Sequence, residues 1–148
     1  MIELNIEGIE AVRKRFARLV PEVKEQALNK LAQVAFDTAQ QQADTHTQTG
    51  ALKRSLDLLP EDEDAWIVRH DLQAAPHALF VHWGTRAHDI RPRDRKALRW
   101  TGGQGGDTHY IFARFVRHPG YAGDPWLVTA AEEAIRQFDA IVRDIQGG

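Results

Sequence analysis

Residues 124–145 read DPWLVTAAEEAIRQFDAIVRDI, and this stretch decides the fold. Leu127, Ala131, Ala134, Phe138, Ile141 and Ile145 recur at alternating spacings of four and three, which places them on one face of a helix. Asp124 is expected to cap that helix and Pro125 to occupy its first turn. At 1.5 Å per residue the helix runs about 30 Å, enough to cross a domain whose radius of gyration is about 15 Å. Its apolar stripe is therefore expected to be the core face of a packed helix.

A second amphipathic segment is expected to pair with it. Pro21 opens a run in which Val23, Ala27, Leu28, Leu31, Val34, Ala35 and Ala39 form a broad apolar stripe ending near Asp44. Ahead of it, Ile9, Val12, Phe16 and Leu19 predict a short helix over about 8–19. Ile2, Leu4 and Ile6 alternate as in a half-buried strand. Ala51–Leu56 reads as a helical turn after Thr49-Gly50, and Glu61–Asp64 as an acidic turn. Ala65–Asp71, Leu79–Trp83, Leu98–Trp100 and Tyr110–Val116 read as strands. The last two flank Gly102, Gly103, Gly105 and Gly106, which predicts a hairpin with a flexible tip over about 101–109. The expected fold is one α+β domain over residues 1–148. An antiparallel β-sheet packs against a long N-terminal helix and a long C-terminal helix.

Composition narrows the chemistry. The chain has no cysteine, so disulfides and thiolate sites are excluded. No apolar run reaches the about 20 residues of a membrane span, and MIELNIEGIE lacks a signal-peptide pattern. His77 and His82 stand five apart and His82 and His88 six apart, which fits neither one helix face nor a zinc site. The histidines are expected to be satisfied or at the surface, with no metal and no cofactor. Ser55 is the only serine and lacks a Gly-x-Ser-x-Gly elbow. The glycine-rich stretch lacks the lysine-serine or lysine-threonine pair of a phosphate loop. No enzymatic activity is expected.

The net charge of -2 conceals segregation. Residues 81–120 carry 8 basic and 3 acidic groups, whereas residues 1–80 carry 9 and 13, and residues 121–148 carry 2 and 5. Trp83-Gly84-Thr85-Arg86, Ile90-Arg91-Pro92 and His118-Pro119-Gly120 frame a basic loop of Arg86, His88, Arg91, Arg93, Arg95 and Lys96. Around it lie Phe80, Trp83, Trp100, Phe112, Phe115 and Trp126. Most of these aromatics are expected in the core; one left exposed beside arginines would have the composition of an interface anchor. A small nucleic-acid-binding module using the basic loop 86–99 is the alternative reading of the same charges.

Several blocks in order carry a resemblance. They are Thr49–Leu56 (TGALKRSL), His77–Thr85 (HALFVHWGT), Ile90–Pro92, Lys96–Trp100, and Phe112–Gly120 leading to Asp124–Leu127. Over about residues 1–146 the chain resembles the tail-component family of tailed bacteriophages and prophages, the small neck, tail-completion or minor tail proteins of long-tailed phages. The resemblance implies a non-enzymatic virion part acting in head–tail joining or tail completion, assembled in the host cytoplasm. Copies of the chain would form a homo-oligomeric ring, hexameric by expectation. Its partners would be connector or head-closure proteins and tail-tube or tail-terminator proteins, with DNA only passing through the ring and no membrane involved. Interface residues expected on this reading are His82, Arg86, His88, Arg91, Arg93, Arg95, Lys96, Arg114 and Arg117. The family usually places an acidic residue before its aromatic-Gly-Thr, where this chain has His82.

Overall fold

The computed structural model describes residues 6, 8–46, 49–62, 65–102 and 109–148. The expected strand at Met1–Ile6 falls almost wholly outside them, as does the glycine tip at residues 103–108.

The fold is α+β, as the hydrophobic periods require. Helix α1 spans Ile9–Phe16 and α2 spans Pro21–Asp44, with Val20 extended and Pro21 at the first helical position. The C-terminal helix α5 covers Trp126–Gly147. His46, just past the end of α2, meets Asp124, just before α5, so the two long helices run antiparallel. The buried face of α2 is alanine alone, at Ala27, Ala32, Ala39 and Ala43, whereas that of α5 carries Trp126, Ala130, Ala134, Phe138 and Ile141. The α2 alanines leave room for the large α5 side chains. The largest of them, Trp126, is fully buried among Ala39, Ala43, Leu52, Leu56, Ala75 and Ala78.

The strands form three separate two-stranded ladders rather than one sheet. Leu56–Asp62 (β1) pairs antiparallel with Ala65–His70 (β2), from Leu56 opposite His70 to Asp62 opposite Ala65. The sequence reading had no strand at β1 and took Glu61–Asp64 as a turn. Pro60 concealed it, since proline survives in a strand only where its missing N–H is not needed, and the register shifts between Pro60 and Asp62. The β1–β2 hairpin lies along α2, where Trp66 Nε1 donates to Asn29 Oδ1 at 3.0 Å.

Leu79–Trp83, expected as a strand, is helical. Helix α4 spans Ala78–Trp83, and its buried residues Ala78 and His82 stand four apart, on one face of a single helical turn. Between β1 and α2, residues Ala51–Arg54 form a short helix, α3. Beyond α4, His88–Ile90 (β3) pairs with Val116–His118 (β6), and Leu98–Gly102 (β4) pairs with His109–Ala113 (β5). A bridge from Thr85 to Tyr121 ties this second half to the start of α5. Gly84 makes the bridge possible: at φ +84° a β-carbon there would sit 2.3 Å from the Tyr121 carbonyl oxygen.

Candidate functional site

Two constellations stand out, one buried and one exposed. The buried one surrounds Trp126. Three histidines ring its indole: His46 stacks on it at 5.5 Å, while His70 and His82 meet it edge-on at 5.4 and 4.9 Å. The helix positions Trp126, the root of β2 supplies His70, and α4 supplies His82. None of these links is local in the chain.

Hydrogen bonds fix how each ring is protonated. Trp126 Nε1–H can only donate, and it donates to His70 Nε2 at 2.8 Å. The His70 proton is therefore on Nδ1, which donates to Ser55 Oγ at 2.7 Å, and the hydroxyl donates onward to the Leu52 carbonyl at 2.8 Å. Burial, then the nearby His82 and His77, push the His70 pKa down to about 4, so the ring is neutral at pH 7. In this arrangement the His70 nitrogen facing Ser55 already holds a proton and cannot accept the hydroxyl's. The serine–histidine pair is thus a structural relay that ties α3, β2 and α5 together.

His82 occupies a different place from the one the sequence suggested. It is 4 % exposed, and its Nε2 accepts from the Leu127 N–H at 3.1 Å. Leu127 N is one of the orphan amides in the first turn of α5, so an imidazole on α4 does the work expected of Asp124. Burial lowers its pKa, opposed by the charge on Asp124. Its other nitrogen, Nδ1, is buried without a hydrogen-bond partner. Asp124 makes no cap bond; its carboxylate accepts a hydrogen bond from His46 Nε2–H at 2.7 Å instead. The difference from the sequence reading is tertiary: Pro125 takes the capping position, and the carboxylate turns to the end of α2. An acidic side chain at position 82 would face the same helix terminus, where a negative charge is favoured by the macrodipole.

The exposed constellation lies on the second half of the chain. Of the aromatics expected in the core, only Trp126 is buried. Phe80, Trp83, Trp100, Phe112 and Phe115 are all exposed, Phe112 the most at 64 %. Trp100 and Phe112 stay outside because β4–β5 is a two-stranded ladder whose strands pack mainly on each other, with no further layer over it among the described residues; Phe80 and Trp83 lie on the open side of α4, and Phe115 between β5 and β6. One face presents Arg99 and Thr101 with Tyr110 and Phe112; the other presents Trp100 and Ile111. Arg99 stands over the Tyr110 ring at 4.7 Å and Arg91 over Phe115 at 5.2 Å, both within cation–π range.

The expected basic residues mostly gather here. Arg93, Arg95 and Lys96 are exposed on the loop between β3 and β4 and line an open cleft with Leu98, Arg99 and Phe112. Arg91 reaches Asp89 at 3.5 Å; Arg114 and Arg117 are exposed at and beyond the end of β5. His88 stacks on His118 at 5.1 Å across the β3–β6 pair, and Arg86 is exposed just before it. His82 is not among them. Sequence reasoning missed Tyr110 as a member of this patch, although the alternation of the two strands places it on the same face as Phe112 and Arg99, the last residue of the expected basic loop. It also missed His46 and His70, whose roles have no local signal.

Among the described residues no group of histidine and carboxylate side chains is placed to hold a metal ion, and no helix is long and apolar enough to cross a membrane. Comparison of the chain with protein-family models, with curated proteins and with solved structures finds no match.

Proposed function

We propose that this chain is a structural assembly protein of a bacteriophage or prophage. Copies of it form a homo-oligomeric ring in the neck or tail, joining head to tail or completing the tail, between connector or head-closure proteins on one side and tail-tube or tail-terminator proteins on the other. The observation that carries the reading is the β4–β5 hairpin. A lone two-stranded hairpin is marginal in water, yet this one holds four large apolar side chains in solvent beside Arg99 and the Arg93–Lys96 loop. Aromatics flanked by arginine are the composition of an interface anchor rather than of an ordinary wet loop. The ordered blocks that resemble the tail-component family support the same conclusion, and the ring would sit in the virion with DNA passing through its centre.

The test is the oligomeric state. Sedimentation velocity or mass photometry across a concentration series is expected to show a closed oligomer larger than a dimer, alone or on adding connector or tail-tube protein. A monomer under all those conditions ends the reading.

A nucleic-acid-binding module is the second reading, favoured by the same basic loop lying beside exposed aromatics on which bases could stack. Phosphate binding weakens steeply with salt, so a gel shift at about 50 mM salt that is lost by about 200 mM would support it. No shift of single- or double-stranded DNA at the lower salt removes it.

A further inference from the structure

The geometry points to one docking site for the β4–β5 arm: a groove on a second copy of this chain, between the N-terminal half of α2 and the end of the β1–β2 pair that carries Pro60, Asp62 and Trp66. The inference rests on the assembly reading above and names the surfaces that would meet.

The groove is a large open cleft whose apolar walls are Phe16, Pro21, Leu28, Pro60 and Trp66. Val20 and Leu59, exposed at 57 % and 37 %, adjoin it in the chain. Its charge opposes that of the arm. Among its lining residues Glu25 and Asp62 outnumber Lys24, the one basic lining residue; Glu22 and Glu61 adjoin the lining in the chain, as do Arg15 and Lys30. The arm brings Arg93, Arg95, Lys96 and Arg99 against the single acid Asp94. Aromatic anchors meet a proline- and aromatic-walled groove, and a net positive rim meets a net negative one.

The two surfaces belong to opposite ends of the molecule. The arm grows from the end where α2 finishes and α5 begins, marked by the Thr85–Tyr121 bridge and the His46–Asp124 pair. The groove lies at the other end of α2, which is 24 residues or about 36 Å long. One chain therefore does not satisfy its own arm through this contact. Two different patches on each copy make the contact head-to-tail, the kind that closes into a ring or runs on as a filament.

The absence of cysteine supplies the experiment. One preparation carries Thr101→Cys, on the Arg99–Phe112 face of the arm, and another carries Glu25→Cys in the groove. The two are mixed and mildly oxidised, then run on a non-reducing gel; a disulfide requires the two Cα atoms to come within about 7 Å, so it traps even a brief contact. The expected result is a mixed dimer at least tenfold more abundant than with Arg143→Cys on exposed α5 as the second partner. Adding Tyr110→Ser and Phe112→Ser to the arm is expected to lower that yield at least tenfold with only a small change in melting temperature, because both side chains are exposed and their contacts lie within the arm and its loop.

Thr101→Cys linking only to itself would mean a symmetric arm-to-arm contact and would overturn the proposal. Oligomers by sedimentation without an excess of the Thr101–Glu25 product would overturn it too, leaving the assembly reading intact. Monomers with no cross-link at all would remove both.

Discussion

Acidifying the solution from pH 7 to pH 5 is expected to cost the folded chain about 2 kcal/mol through His70 alone. In the unfolded chain this imidazole titrates near 6.5, whereas in the fold burial brings it to about 4. Between those values the unfolded state holds more protons than the native one, so stability rises with pH across the window. The contribution is fully present above pH 6.5 and is lost as the pH falls toward 4. At about 1.4 kcal/mol per unit the whole difference is about 3.5 kcal/mol, of which about 2 is gone by pH 5. The His70 ring keeps some contact with solvent, so these figures are upper values. His82, also lowered by burial, acts in the same direction. Glu133, whose carboxyl is held low by Gln137 and Arg136, changes its contribution only as the pH falls below the ordinary carboxylate range, where that contribution is lost, and leaves the upper window untouched. The assay is urea unfolding followed by far-ultraviolet circular dichroism at half-unit steps from pH 7.5 to 4.5, with His70→Gln alongside. The glutamine oxygen still accepts from Trp126 but does not titrate. Wild type should lose at least twice as much stability as His70→Gln over the window. Parallel curves for the two proteins would refute both the neutral His70 and the relay built on it.

Three further outcomes follow from the same contacts. Ser55→Ala removes the acceptor for His70 Nδ1–H and is expected to lower the unfolding free energy by about 1–3 kcal/mol at pH 7, with an unchanged urea slope. His82→Ala uncaps Leu127 N–H and opens a gap beside Trp126, for a loss of about 2 kcal/mol or more; His82→Gln should recover part of it, and equal losses would mean the cap contributes nothing. Gly84→Ala forces a β-carbon against the Tyr121 carbonyl at a left-handed φ and is expected to cost more than about 2 kcal/mol, whereas Gly147→Ala, with nothing within 4 Å, should stay within about 0.5 kcal/mol by thermal unfolding.

Local pattern made much of this molecule legible. Pro21 and the apolar stripe after it place α2 at Pro21–Asp44, and the stripe from Leu127 onward places α5 at Trp126–Gly147. The α5 stripe itself is partly shifted, since Trp126, Ala130, Ala134, Phe138 and Ile141 are the buried line while Leu127 and Ala131 are only half-buried. The pairing across the glycines was readable, but the expected strand Tyr110–Val116 is divided: β5 ends at Ala113, and Val116 opens β6, whose partner β3 lies elsewhere in the chain. The short α4 and β1 were misread or missed, each being too brief for its period to show and β1 being interrupted by Pro60.

What the sequence by itself determined are the two long helices, the pairing across the glycines and the gathering of positive charge in residues 81–120, all properties of neighbours in the chain. The tertiary structure alone decided which side chains are covered. It buried His82 and Trp126 together, turned Asp124 from the helix it precedes to the histidine after α2, and left Phe112 and Trp100 in solvent. Burial depends on whether a distant segment arrives to cover a face. Ala39 and Ala43 of α2, with Leu52 and Ala78 from α3 and α4, close over Trp126, while among the described residues nothing closes over the arm.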